Sequence, residues 1–177
     1  MGDKELFETY KEDVYHYCLY MLRRQNDAED ACQEVFVKAL LADRSGIEHL
    51  KAWLMRIAAN ECHSMMRRRT NGEIKEKRAF WLNKPLGASQ SVEQTYERAE
   101  TSGEFEELLE ELKPKIREAL LLYYMAELSL AETAQALDAP LGTVKSRISR
   151  GLKALKKLAK KNPALSEKEG DVRASNY

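Results

Sequence analysis

Apolar residues along this chain recur at intervals of three and four, and no stretch shows the strict alternation of a half-buried strand. An α-helix turns once in about 3.6 residues, so this spacing gathers side chains onto one face. Leu6, Tyr10, Val14, Tyr17 and Met21 set the pattern and predict a helix over 5–24. A second helix is expected from Asn26 to about Leu41, because Asn26-x-x-Glu29 fits a capping box with carboxylates in the first turn. After a loop at Asp43–Gly46, a third helix is expected from about Leu50 to Arg69. Glycine and proline are sparse (8 and 4) and fall where helices should break. The fold class is all-α.

The pattern divides the chain. Thr70-Asn71-Gly72, Pro85–Ser89 and Thr101–Gly103 interrupt it repeatedly, so 71–103 reads as a flexible linker with one short helix. Phe80-Trp81 is unusual in a linker and implies packing on a domain or a contact with a partner. Regularity returns with a helix over about 104–112 and another over 114–126, led by Pro114 and carrying Ile116, Leu120, Leu121 and Tyr124. The expected division is a first domain 1–70, a linker 71–103, a second domain 104–161 and a polar, disordered tail 162–177. Each ordered block holds about 60–70 residues, a size that is marginal alone and gains from docking on something larger.

Composition narrows the function. The longest near-apolar stretch, Ala119–Ala126, is far short of the roughly 20 residues of a membrane helix. The charged start Met1-Gly-Asp-Lys-Glu shows no secretory signal, which makes the expected location cytoplasmic without membrane insertion. Cys18, Cys32 and Cys62 are odd in number and widely spaced, so they read as free thiols, with no metal site and no cofactor expected. The three histidines lack partners at catalytic spacing and no phosphate loop appears, so an enzyme is not expected. Lys+Arg and Asp+Glu balance at 29 each, but they are segregated: Lys145–Lys161 holds eight basic and no acidic residues, and Glu104–Glu111 holds five glutamates and no base. Charge therefore acts segment by segment along this chain.

The sharpest local signal begins at Leu128. Ser129-x-x-Glu132 is a capping box that starts a helix, and Ala134 is small enough for a second helix to cross closely. Leu137 ends that helix, Asp138 suits a left-handed turn, and Pro140 sets up the next helix. Val144, Ile148, Leu152 and Leu155 form its apolar stripe, while Lys145, Arg147, Ser149 and Arg150 project elsewhere. This is a helix-turn-helix whose second helix suits the major groove, with the basic continuation tracking phosphates. The third helix is also two-faced: Leu50, Trp53, Leu54, Ile57, Ala58 and Met65 share one side, and Arg56, Asn60, His63 and Arg67 the other. A face of Arg, Asn and His without a carboxylate suits an anion or base edges.

Three segments together resemble the extracytoplasmic-function (ECF) RNA polymerase sigma factors: Asp27–Leu40, Trp53–Asn60 followed by Arg67–Arg69, and Pro140–Leu152. The resemblance covers nearly the whole chain. It implies a core RNA polymerase-binding surface at Asp30, Gln33, Glu34 and Phe36. It implies contacts to the start-site-proximal promoter element from Arg56, Asn60, Arg67, Arg68 and Arg69. Thr143, Lys145, Ser146, Arg147, Ser149 and Arg150 would read the upstream element, and the loop Asp43–Gly46 would receive a flipped base. Implied partners are core RNA polymerase, promoter DNA and an anti-sigma factor, for a chain that is monomeric when unbound. Departures from the family pattern are a loop at Asp43–Gly46 about one residue shorter and lacking an aromatic-Arg-Gly stretch, Ser64 for Asp, Thr133 for an apolar β-branched residue, and Gly151 for Ala. The alternatives are a stand-alone helix-turn-helix regulator, which leaves 27–40 unexplained, and a sigma-like protein that does not read DNA, against which Arg56, Asn60, Lys145 and Arg150 argue.

Overall fold

A computed structural model describes the backbone of residues 2–82 and 103–161, and the side chains of 2–72 and 107–160. Seven α-helices and one π-helical turn make up its regular structure, with no strand among the described residues. Helices α1 (Asp3–Leu22), α2 (Gln25–Leu41) and α3 (Leu50–Leu82) form a first unit. Helices α4 (Gly103–Glu110), α5 (Pro114–Leu120), α6 (Leu130–Ala136) and α7 (Leu141–Lys161) form a second.

The first core is built from the stripes the spacing picks out. Leu6, Val14, Tyr17 and Met21 of α1 are buried against Ala28, Ala31, Val35 and Ala39 of α2 and Leu54, Ala58 and Cys62 of α3. The four alanines among them let the helix axes approach. α1 closes at Arg23, whose left-handed backbone (φ 63°) lets its N–H donate to the Leu19 carbonyl at 2.8 Å. The chain turns so tightly there that α2 starts at Gln25, and Asn26 lies inside the helix rather than capping it. Glu29 accepts from the Gln25 side chain at 2.9 Å instead.

The expected break at Thr70–Gly72 is absent, and α3 continues to Leu82. Threonine, asparagine and glycine only weaken a helix, by at most about 1 kcal/mol each relative to alanine. Thr70 returns its hydroxyl to the Met66 carbonyl at 3.1 Å. The side chains of Phe80 and Trp81, the segment Pro85–Ser89 and the tail 162–177 lie outside the described residues.

In the second unit α5 runs into a π-helical turn, Leu121–Met125. There Ala126 donates to the Leu121 carbonyl five residues back, at 2.9 Å. The wider turn rotates Tyr124 out of the expected stripe and leaves it exposed, while Leu121 and Leu122 stay buried. The helix-turn-helix forms as the spacing predicts. Ser129 accepts from the Glu132 N–H at 3.2 Å while Glu132 accepts from the Ser129 N–H at 2.9 Å. Asp138 takes the left-handed turn (φ 47°), and the Pro140 carbonyl accepts from Thr143 and Val144. Thr133, fully buried, donates to the Ser129 carbonyl at 2.9 Å, which is how a polar side chain fits a position that favours an apolar one.

The stripe of α7 differs from expectation at one place. Val144 and Ile148 are buried, but the next inward residue is Gly151, and Leu152 is 43% exposed. A Cβ on Gly151 would lie 2.6 Å from Leu120 Cδ1 and 2.9 Å from Ile116 Cγ2. Glycine therefore permits the close crossing of α5 and α7.

The two units pack on one another, α3 against α6 and α1 against α5 and the π-turn. Arg117 is buried at this seam, donating to the Tyr20 carbonyl at 3.2 Å and the Leu112 carbonyl at 3.1 Å. Burial lowers its pKa below the ordinary arginine value, helped by the Arg23 charge.

Candidate polymerase and nucleic-acid interfaces

Helix α2 presents Asp30, Gln33, Glu34, Val37 and Leu41 on one exposed face, at spacings of three and four. The first three line a cleft of about 410 Å³ closed on its other side by Lys38, Glu61, Met65 and Arg68. Glu61 is nearly buried, and Lys38 Nζ holds both its oxygens at 2.6 and 2.7 Å. The pair fixes α2 on α3 and leaves Asp30 and Glu34 as the cleft's free carboxylates. Phe36, expected on this surface, points inward: it is 4% exposed and packs edge-on against Phe7, with ring centroids 4.9 Å apart. It supports the face without forming it. Val37 and Leu41, half and 84% exposed, are the apolar side chains that this face presents in place of Phe36. Their signal was visible, since both fall off the buried stripe of α2 yet are apolar.

On α3, Arg56, Asn60 and Arg67 are exposed and His63 is half-buried beside them, as the spacing predicts. The three arginines 67–69 do not act as a block, because consecutive helical residues point about 100° apart. Arg67 is exposed on the face of Arg56 and Asn60, and Arg68 lines the cleft beside α2. Arg69 reaches the Leu22 carbonyl at 3.4 Å and Asp27 at 3.7 Å, tying α3 to the α1–α2 turn. The loop Asp43–Gly46 is held by Ser45 N–H donating to Asp43 at 2.9 Å and by an Arg44–Asp3 ion pair.

On α7, Lys145, Ser149 and Arg150 are exposed, and Lys153, Lys156, Lys157 and Lys160 continue the cationic surface. Thr143 is half-buried at the helix start, and Ser146 donates its hydroxyl to the Thr143 carbonyl at 3.0 Å. Arg147 Nη1 meets Glu118 Oε1 at 3.2 Å. Contacts that residue spacing alone did not reveal are those of the histidines: His63 Nε2 lies 2.5 Å from Glu118 Oε2, and His49 Nδ1 lies 3.2 Å from Glu132 Oε1.

The cysteines are unpaired, with Cys18 and Cys62 buried. A hydrogen bond with Cys62, and then burial, raise the Cys18 thiol well above the usual range. Burial pushes Cys32 up to about 11. Neither is a thiolate at neutral pH. Among the described residues no group of three His, Cys, Asp or Glu side chains could hold a metal ion, and no helix is long and apolar enough to cross a membrane.

Two helical units, one ending in a helix-turn-helix with a cationic outer face and the other carrying an Arg/Asn face beside an acidic–apolar one, define the class of helix-turn-helix DNA-binding proteins. Residues 6–72 match Sigma-70 region 2, and residues 102–155 match Sigma-70, region 4. The chain is similar to the ECF RNA polymerase sigma factor SigW of Bacillus subtilis, at 31% identity with 88% of this chain and 90% of that protein covered. It is also similar to SigM of the same organism, at 29% identity over 87% and 93% of the two chains. Among solved structures, it superposes on the sigma factor RpoE in complex with the anti-sigma factor NepR from Bartonella quintana. That match has a TM-score of 0.70 and 26% identity, with 89% of this chain and 96% of that one covered. The chain belongs to the ECF RNA polymerase sigma factors. It binds RNA polymerase and directs promoter recognition and transcription initiation.

Proposed function

We propose that the α2 face is where this sigma factor meets core polymerase, and that α3 and α7 divide promoter reading between them. The observation that carries this is the separation of chemistries onto exposed faces. Asp30, Gln33 and Glu34 stand with Val37 and Leu41 on one face, and the cations of α3 and α7 stand on others. An acidic edge around apolar side chains suits a basic protein surface, with the apolar contact supplying affinity and the charges supplying register. Arg56, Asn60 and Arg67 meet the proximal element, with Arg68 and Arg69 at its margin. Lys145, Ser149 and Arg150, with Thr143, Ser146 and Arg147, meet the upstream element. The working division is a promoter-proximal and polymerase-binding domain over 1–70, a linker over 71–103, an upstream-reading domain over 104–161 and a tail over 162–177. The protein acts in the cytoplasm as a non-enzymatic specificity subunit, monomeric when unbound, and is held in check by an anti-sigma factor like the one bound to the Bartonella relative.

Size-exclusion co-elution with core RNA polymerase tests this. Wild type should co-elute, and Glu34→Lys and Leu41→Ser should not, while keeping wild-type circular dichroism. Co-elution of both variants at wild-type levels would move the docking surface elsewhere. Phe36→Ala is a poor probe of docking, because emptying a buried phenylalanine site costs about 3–5 kcal/mol of stability.

A further inference from the structure

The three cysteines, far apart in the chain, gather in the core of the first unit. Cys18 continues the buried stripe of α1 four residues past Val14, and Cys62 continues that of α3 four residues past Ala58. α1 packs on α3, and these two thiols, both 0% exposed, are hydrogen-bonded to each other. Cys32 sits on α2 next to the buried Ala31. It is only half-buried and lies near enough to Cys18 to feel its charge. One partly exposed sulfur thus leads to a pair that solvent does not reach.

A fourth group belongs to the cluster. The Tyr17 hydroxyl is buried without a hydrogen-bond partner among the described residues, within reach of the charges of Cys62 and Cys18. A buried donor without an acceptor is rare in a settled interior. A thiolate is an acceptor, so this hydroxyl is placed to steady a sulfur that has given up its proton.

We propose that Cys18 and Cys62 are a redox-active dithiol that hydrogen peroxide converts to a disulfide, with Cys32 as the point of entry. The Cys32 sulfur attacks the peroxide, becomes a sulfenic acid and releases one water. Cys18 displaces the sulfenic hydroxyl, which leaves with the Cys18 proton as a second water. Cys62 then displaces Cys32 from the Cys18 sulfur, and its proton passes to Cys32. Two thiols lose two electrons and two protons, and one peroxide becomes two waters. Burial pushes Cys32 up to about 11, so few of its sulfurs are thiolates at neutral pH and the site answers to sustained oxidant rather than to a brief pulse. The bridge ties α1 to α3 around the whole of α2, which restricts the unfolded chain.

Peroxide treatment of the full chain, alkylation in denaturant and non-reducing peptide mapping test it. Trypsin puts each sulfur on its own peptide, since Cys18 falls between Lys11 and Arg23, Cys32 between Arg24 and Lys38, and Cys62 between Arg56 and Arg67. Folded wild type should lose two of its three alkylatable thiols and yield the Cys18–Cys62 peptide pair, which dithiothreitol reverses. The bridged protein should keep its circular dichroism and unfold at a higher urea concentration than the reduced one. The same pair should form more slowly in Cys32→Ser, and in Cys62→Ser the reaction should stop at a Cys18–Cys32 bridge. Recovery of three alkylated thiols, or Cys32 carried on to sulfinic acid while Cys18 and Cys62 remain thiols, would overturn the dithiol. A pair that forms as fast in Cys32→Ser as in wild type would overturn the entry through Cys32.

Discussion

Gly151 has no free space where a side chain would begin. Replacing it with alanine gains helix propensity of about 1 kcal/mol, but the new methyl meets Leu120 and Ile116 inside 3 Å. Overpacking of this kind costs about 1–3 kcal/mol, so Gly151→Ala should lower the urea midpoint, reversing what propensity alone predicts. The capping carboxylate Glu132 makes a second residue-scale prediction. Hydrogen bonds from Ser129 hold its pKa below the ordinary value of 4.5, with the nearby His49 charge adding to the effect. A depressed folded pKa contributes stability that is present above the unfolded value and lost as pH falls through the folded one. Wild type should therefore exceed Glu132→Gln in stability at pH 7, and the gap should narrow in denaturant titrations carried below about pH 4.5.

At the scale of elements, amphipathic periodicity identified the helices, and their partners set the details. α1, α2, α6 and α7 lie close to where the spacing puts them, although the expected cap forms at Ser129 and not at Asn26, because burying an apolar face demands a 3.6-residue repeat whatever covers it. The course of α3 past Thr70–Gly72 was not legible, since residues of modest propensity neither require a helix nor forbid one. The inward turn of Phe36 was not legible either. Phe36 and Val37 are adjacent apolar residues, and only the position of Phe7 decides which is buried. The exposed cations of α7 make a prediction for the element as a whole. If about four of them neutralise phosphates, log affinity for promoter duplex should fall against log salt with a slope near −3.6, and Lys145→Ala should flatten that slope by about 0.9. A slope unchanged by Lys145→Ala in filter-binding titrations would place that lysine off the DNA.

Across the whole molecule, the fold class, the helix-turn-helix and the resemblance to ECF sigma factors were all readable from the chain. Each depends on local rules: periodicity, a capping box, a left-handed Asp138 and a basic run attached to a capped helix. The arrangement of the two units was not readable. Glu118 lies between Arg117 and Ala119 with nothing local to mark it, and His63 reads as one more polar residue on the face of Arg56, Asn60 and Arg67. What joins them is a contact between residues 55 positions apart. Such a contact carries no periodic trace, because it sets the cost of removing one carboxylate from water against the partners that two other helices supply. By itself the sequence determined which faces are apolar, which are cationic and where helices begin. Only the tertiary structure decided which cations face solvent and which are held by a buried acid, since desolvation is a property of the packed molecule and not of any segment.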